Sequence, residues 1–260
     1  MLKVLLILLM SASASASYSQ GFPEEPDKVP AQFAISLLEA REANSLGAAP
    51  SSAEARSISE LGLALIIDFE GFVKNGNLHI PYNDAAGYCT IGYGRLIKKE
   101  RCRDLDLGDL RRGITEEQAV AFLKEDLSFA RLAVQRNTVY DRDSNGDGRK
   151  DPIEANNDQF SALVSFIFNV GERNYKRSTL LRRMQQDRNE LAAREFLRWV
   201  RADGRIYEGL IARRECEQSL FRSALSFDSD GKFARSNCSS LGIASTPGDL
   251  IDILVGESTP

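Results

Sequence analysis

The stretch EGFVKNGNLHIPYNDAAGYCTIGYG, Glu70 to Gly94, decides how the rest of the chain is read. A helical pattern runs into it. Ile58, Leu61, Leu65, Ile66 and Phe69 recur at helical spacing, and Ser57 with Glu60 has the spacing of a capping box, so a core-facing helix is expected from Ser57 to about Glu70. From Phe72 to Arg95 the pattern changes: glycines punctuate residues of high strand preference (Tyr82, Tyr88, Thr90, Ile91, Tyr93), which reads as a small two- or three-stranded sheet with tight turns.

The stretch also puts two carboxyl groups in unlike settings. Glu70 ends an apolar helix, where desolvation and the negative helix terminus both favour its neutral form. Asp84 lies in a turn rich in Gly and Asn, polar and wet, which favours the ionised form. Cleaving a glycosidic bond requires such a pair, one carboxyl to protonate the leaving oxygen and one to deal with water or the developing cation. Thr90 supplies a hydroxyl able to orient water, and Gly92 and Gly94 leave room for a sugar to approach the backbone.

Composition narrows the alternatives. The 260 residues, 43% of them hydrophobic, can build a sizeable core, and a net charge of −4 argues against a nucleic-acid binder that relies on bulk positive charge. The single histidine, His79, and four widely spaced cysteines exclude a Cys-rich zinc centre. His79 itself is expected at a surface or substrate edge.

Outward from the centre, Thr115 and Gln118 form a second capping box, with Val120, Leu123 and Leu127 on one stripe. The chain to Phe221 is mostly helix. Phe160 to Val170 (FSALVSFIFNV) is apolar nearly all round and is expected to be the buried central helix, followed by helices near Ser178–Gln186 and Asn189–Val200. The fold class is therefore α+β, mostly helical, with a small β lobe and a helical lobe. Residues 160–222 carry 13 Arg or Lys against eight Asp or Glu, a basic region suited to an anionic polymer.

At the start, one Lys, an apolar run from Val4 to Met10 and an A-x-A site ending at Ala16 read as a cleaved signal peptide over 1–16. The run is far below the ~20 residues of a membrane span, so no stable membrane insertion is expected. The mature protein is expected to be secreted or periplasmic, with 17–56 a linker or propeptide and 223–260 a C-terminal tail. Export suggests disulfides. Of the three possible pairings, sequence proximity favours Cys89 with Cys102 and Cys216 with Cys238, the alternative being four buried thiols.

An acidic loop, 143–154, interrupts the helical part. Asp143, Asn145, Asp147, Gly148, Asp151 and Glu154 occupy the ligand and turn positions of an EF-hand loop, and Arg149 would offer its backbone carbonyl. A structural Ca²⁺ is expected there, although Lys150 and Pro152 depart from the usual pattern.

Taken together, Glu70-Gly71, Tyr82-Asn83-Asp84, Gly87 and Thr90-Ile91-Gly92-Tyr93-Gly94 resemble the signature of the phage-type lysozymes, the glycoside hydrolase family that includes the T4 and lambdoid-phage endolysins. ITEEQAVAFLKEDL, STLLRRM, EFLRWV and GLIARRECEQSLF extend the resemblance over residues 57–222. It implies a lysozyme-like catalytic domain with Glu70, Asp84 and Thr90 as the catalytic set, Tyr82, Gly92 and Gly94 in support, and Arg213 near the glutamate. The implied activity is a muramidase that hydrolyses the β-1,4 bond between N-acetylmuramic acid and N-acetylglucosamine, acting as a monomer with no catalytic cofactor. Two departures stand out. Thirteen residues lie between Glu70 and Asp84, more than is usual, the extra ones about Asn75 to His79, and Arg95 replaces a His after the last glycine. A lytic transglycosylase and a wall-binding protein that has lost catalysis are the competing readings; the presence of Asp84 and Thr90 beside Glu70 favours hydrolysis.

Overall fold

A computed structural model describes residues 55–84, 86–242 and 249–257. The expected signal peptide and nearly all of the 17–56 segment lie outside these residues.

Helix α1, Glu60–Phe69, is capped by Ser59, whose hydroxyl accepts the Gly62 N–H. The helix begins later than the Ser57–Glu60 spacing predicts, because the Ser59 backbone N–H is itself held by the Ser161 hydroxyl at 2.9 Å. That tertiary bond fixes the chain just before the helix. A Cβ on Gly62 would collide with that of Ser161, so this glycine permits a close helix crossing.

Two small antiparallel sheets follow. Strands β1 (Lys74–Asn75) and β2 (Leu78–His79) form a ribbon with Lys74 opposite His79. Strands β3 (Tyr82–Asn83), β4 (Cys89–Ile91) and β5 (Arg95–Lys98) form a sheet in that order, with a bulge at Cys89/Thr90. The extra residues between the carboxylates thus build a ribbon of their own.

Helix α2, Glu116–Asp126, starts at the expected Thr115–Gln118 capping box, and α3 spans Ser128–Asn137. The central helix α4, Asn157–Val170, has ten of its fourteen residues buried and opens on a capping box of Asn156 and Gln159. Around it lie α5 (Glu172–Arg177), α6 (Thr179–Gln185), α7 (Asn189–Glu195) and α8 (Glu208–Phe221), the last packed along α4. Phe166 anchors this core edge-on to Phe196 and Trp199 at 5.3 Å each. The helix expected to reach Val200 stops at Glu195 and ends in a 3-10 turn, Phe196–Arg198, after which β6 (Arg201–Ala202) and β7 (Arg205–Ile206) form a short hairpin.

Both favoured disulfides form, Cys89–Cys102 and Cys216–Cys238. The second ties α8 to a C-terminal arm on which Arg235 binds Asp68 at 2.6 Å. Further on, Ile251 and Ile253 are buried, with the Ile251 N–H donating to the Arg198 carbonyl. The described part of 223–257 is thus docked on the helical lobe, held at Cys238 and again further along. Among the described residues no helix is long and apolar enough to cross a membrane.

Candidate active site

Glu70 is the residue at which α1 stops. Its N–H still donates to the Ile66 carbonyl at 3.0 Å, but its own backbone is extended, which turns the side chain off the helix end. The carboxylate is 19% exposed and its Oε1 accepts from Arg213 Nη1 at 3.0 Å; Arg213 is only 5% exposed. The cation expected near Glu70 is therefore in contact with it, delivered from α8 across 143 residues of sequence.

Asp84 sits in the turn between β3 and β4. Its Oδ1 accepts from the N–H groups of Ala86 and Tyr88 at 2.9 Å each, a local bracket that fixes the carboxylate in the turn. The Thr90 hydroxyl lies 3.4 Å from Asp84 Oδ2 and 3.2 Å from the Tyr88 carbonyl. Thr90 is buried on β4, so its hydroxyl braces Asp84 instead of facing solvent.

Tyr82 connects the two carboxyl groups. Its hydroxyl donates to the Gly71 carbonyl at 3.1 Å, and burial, then the charges of Glu70 and Asp84, push its pKa up. The bond links β3, two residues before Asp84, to the chain segment just after Glu70.

The glycines divide their labour differently from the expectation. Gly92 has φ of +61°, and a Cβ there would press within 3.3 Å of Ala119, so its smallness serves the packing of the sheet on α2. Gly94 borders the site, with Glu70 Oε2 the atom nearest its missing Cβ, at 3.9 Å. Arg95 turns to α2, pairing with Glu125 at 2.7 Å and lying over Phe122.

His79 overturns its surface assignment. It is fully buried, with Nε2 2.9 Å from Glu116 Oε2 and its ring edge-on to Tyr93. Glu116 also receives Lys74 at 2.7 Å and the Tyr93 hydroxyl. Burial alone would raise its pKa, but these donors outweigh it and lower the value to about 2. This cluster went unread in the sequence; its signal was Glu116 opening a helix two residues after Ile114, whose backbone pairs with that of His79.

The acidic loop shows no assembled metal site among the described residues. Among the described residues no group of three or more His, Cys, Asp or Glu is placed to hold an ion. Asp143 accepts the N–H groups of Gly146, Asp147 and Gly148, Asn145 and Asp147 turn to backbone N–H groups within two residues, and Asp151 binds Ser144. Arg149 and Glu154 are exposed, and Pro152 lies in a β-bridge with Val139 that closes the loop. The calcium site read from the spacing is therefore not supported.

A helical lobe beside small antiparallel sheets makes an α+β fold of the lysozyme-like class. The family model described as phage lysozyme matches residues 68–217, more than half of the chain, and the chain belongs to that family. It is similar to an endolysin of Acyrthosiphon pisum secondary endosymbiont phage 1, 36% identical over 171 residues, 64% of this chain and 99% of the relative. An endolysin of Bacillus phage PZA is 33% identical over 167 residues, again 64% of this chain, which spans 55% of that relative's length. Among solved structures, an endolysin from an Escherichia coli O157:H7 phage, FAHEc1, aligns at a TM-score of 0.49 and 27% identity, covering 64% of this chain and 93% of its own.

Proposed function

We propose that the chain is an exported muramidase that hydrolyses the β-1,4 bond between N-acetylmuramic acid and N-acetylglucosamine in bacterial peptidoglycan. Glu70 is the general acid that protonates the leaving oxygen. Asp84, held in place by its backbone bracket and braced by Thr90, acts on the water or the developing cation. Arg213 fixes the Glu70 carboxyl, Tyr82 supports both carboxyl groups, and Gly94 keeps the space beside Glu70 open.

The observation that carries the reading is geometric: Tyr82, two residues before Asp84, bonds through its hydroxyl to the carbonyl of Gly71, the residue after Glu70, while Arg213 holds Glu70 and Thr90 lies against Asp84. No step requires a metal or organic cofactor. Two disulfides fit an oxidising compartment, in line with removal of residues 1–16 as a signal peptide and action outside the cytoplasm as a monomer.

Mass spectrometry of the fragments released from purified peptidoglycan tests the proposal, with Glu70→Gln as control. Reducing-end muropeptides made by the parent and absent from the variant are expected. Anhydro-muropeptides would replace hydrolysis by a transglycosylase reaction, and wall binding without fragments would leave a binding protein.

A further inference from the structure

Arg213 does more than touch Glu70. Its Nε lies 3.2 Å from Glu217 Oε1, one helical turn further along α8, and its Nη2 lies 3.4 Å from the carbonyl and hydroxyl of Ser165. Glu217 is wholly buried. It also accepts from the Ser165 hydroxyl at 2.6 Å, and its Oε2 lies 3.1 Å from Arg214 Nη1. Arg214 is wholly buried too; burial, eased by Glu217 and reinforced by Arg213, pushes its pKa down to about 10. The chain thus keeps a carboxylate and a second guanidinium in its core, an arrangement costly enough to need a reason.

Charge supplies that reason. An unshared guanidinium 3.0 Å from Glu70 would hold that carboxyl ionised, the wrong state for a group that must deliver a proton. We propose that Glu217 is a positioning residue that takes up much of the Arg213 charge, so that Arg213 orients Glu70 without stripping it of its proton. The inference rests on the reading of Glu70 as the general acid. The charged and titratable groups around Glu70 are Arg213 from α8, Tyr82 and Asp84 from the sheet, and Asp68 on its own helix, paired with Arg235 of the C-terminal arm. Glu217 and Arg214 stand behind Arg213, and α4 contributes the uncharged Ser165. With Glu217 neutral, the cluster gains a positive charge, and protonating Glu70 becomes harder.

The test is the pH profile of peptidoglycan lysis by the purified full chain, whose alkaline limb follows loss of the general acid's proton. Glu217→Gln is expected to move that limb about one pH unit towards acid, the order Coulomb's law gives for a nearby unit charge in a partly buried site, with the acid-side rate little changed. Glu217→Asp, which keeps the charge, should return the limb towards the parent's. Arg214→Met frees Glu217 for Arg213 alone and should move the limb the other way, towards alkali. A structural role alone would lower activity at every pH without moving the limb. That result, or limbs that move the same way in Glu217→Gln and Arg214→Met, overturns the proposal. If circular dichroism finds Glu217→Gln unfolded, the direction of Arg214→Met decides. Glu70→Gln, run in parallel, separates this from the function itself: lysis surviving that substitution defeats the general-acid reading, whatever Glu217 does.

Discussion

Glu70–Gly94 and Asp143–Glu154 each carry a recognisable motif, yet the fold treats them in opposite ways. In the first, Glu70 meets Arg213 from 143 residues away, and Tyr82, two residues before Asp84, bonds the Gly71 carbonyl beside Glu70. In the second, the side-chain oxygens of Asp143, Asn145, Asp147 and Asp151 bind backbone or side-chain groups within seven residues. Spacing specifies a local backbone shape in both regions. It becomes a site only where distant elements aim further groups into it.

The largest expected effect follows from that difference. Glu70→Gln preserves shape and removes the transferable proton, so lysis should fall by at least about 100-fold, in the range measured for a lost general acid. Its thermal midpoint should stay close to the parent's, because Glu70 is partly exposed and its partner Arg213 keeps Glu217. Rates and melting curves on the same preparation check both halves. Retained lysis would put the first region in the same category as the second.

How much of this could be read in advance divides along the same line. The Thr115–Gln118 cap, the central helix and the β lobe were legible because each is declared by residues within a few positions of one another. The β6–β7 hairpin was missed because two-residue strands have no periodicity to detect. Its signal was Asp203-Gly204, both at positive φ, the turn type that two-residue hairpins need. His79 was misplaced for a different reason. A lone histidine in a polar ribbon reads as exposed until Glu116, Tyr93 and Phe72 are known to enclose it, and that enclosure depends on how the ribbon docks on α2. The pairing of Arg213 with Glu217 is readable as an i, i+4 pair, but its burial beside Glu70 is not.

The next effect concerns what holds the first region in place. Cys216→Ser with Cys238→Ser opens a loop of about twenty residues, and the chain-entropy estimate gives a loss of about 3 kcal/mol in denaturant unfolding. The arm released by that change carries Arg235, which binds Asp68 and lies 4.3 Å over the Phe69 ring beside Glu70. Lysis should therefore fall as well. A stability loss with unchanged lysis at low temperature would show that the arm does not steady the end of α1.

A smaller effect belongs to Glu116. Its folded-state pKa of about 2 lies below the ordinary 4.5, so its contribution to stability is present above about pH 4.5 and is lost as pH falls towards 2. The side chain is 42% exposed, and solvent screening keeps the amount to about 1 kcal/mol or less. Glu116→Gln should flatten the decline of the urea midpoint across that window while lowering the midpoint at neutral pH. A decline as steep as the parent's would assign the acid sensitivity to other carboxylates.

The smallest effect is expected in the second region. Asp143 accepts three backbone N–H groups, all at exposed positions where water can replace it, so Asp143→Ala should cost less than about 1 kcal/mol. The loop would still close, because Tyr140 donates to the Asp151 carbonyl and Ile153 to that of Thr138, and neither bond involves Asp143. Lysis should be unchanged, with the same melting curve whether or not calcium is added. A calcium-dependent rise in the parent's melting temperature that disappears in Asp143→Ala would break the comparison at its base. It would mean that a run of oxygen ligands at the right spacing can gather a cation without help from any distant element, and that the self-satisfied loop is the ion-free state of a site.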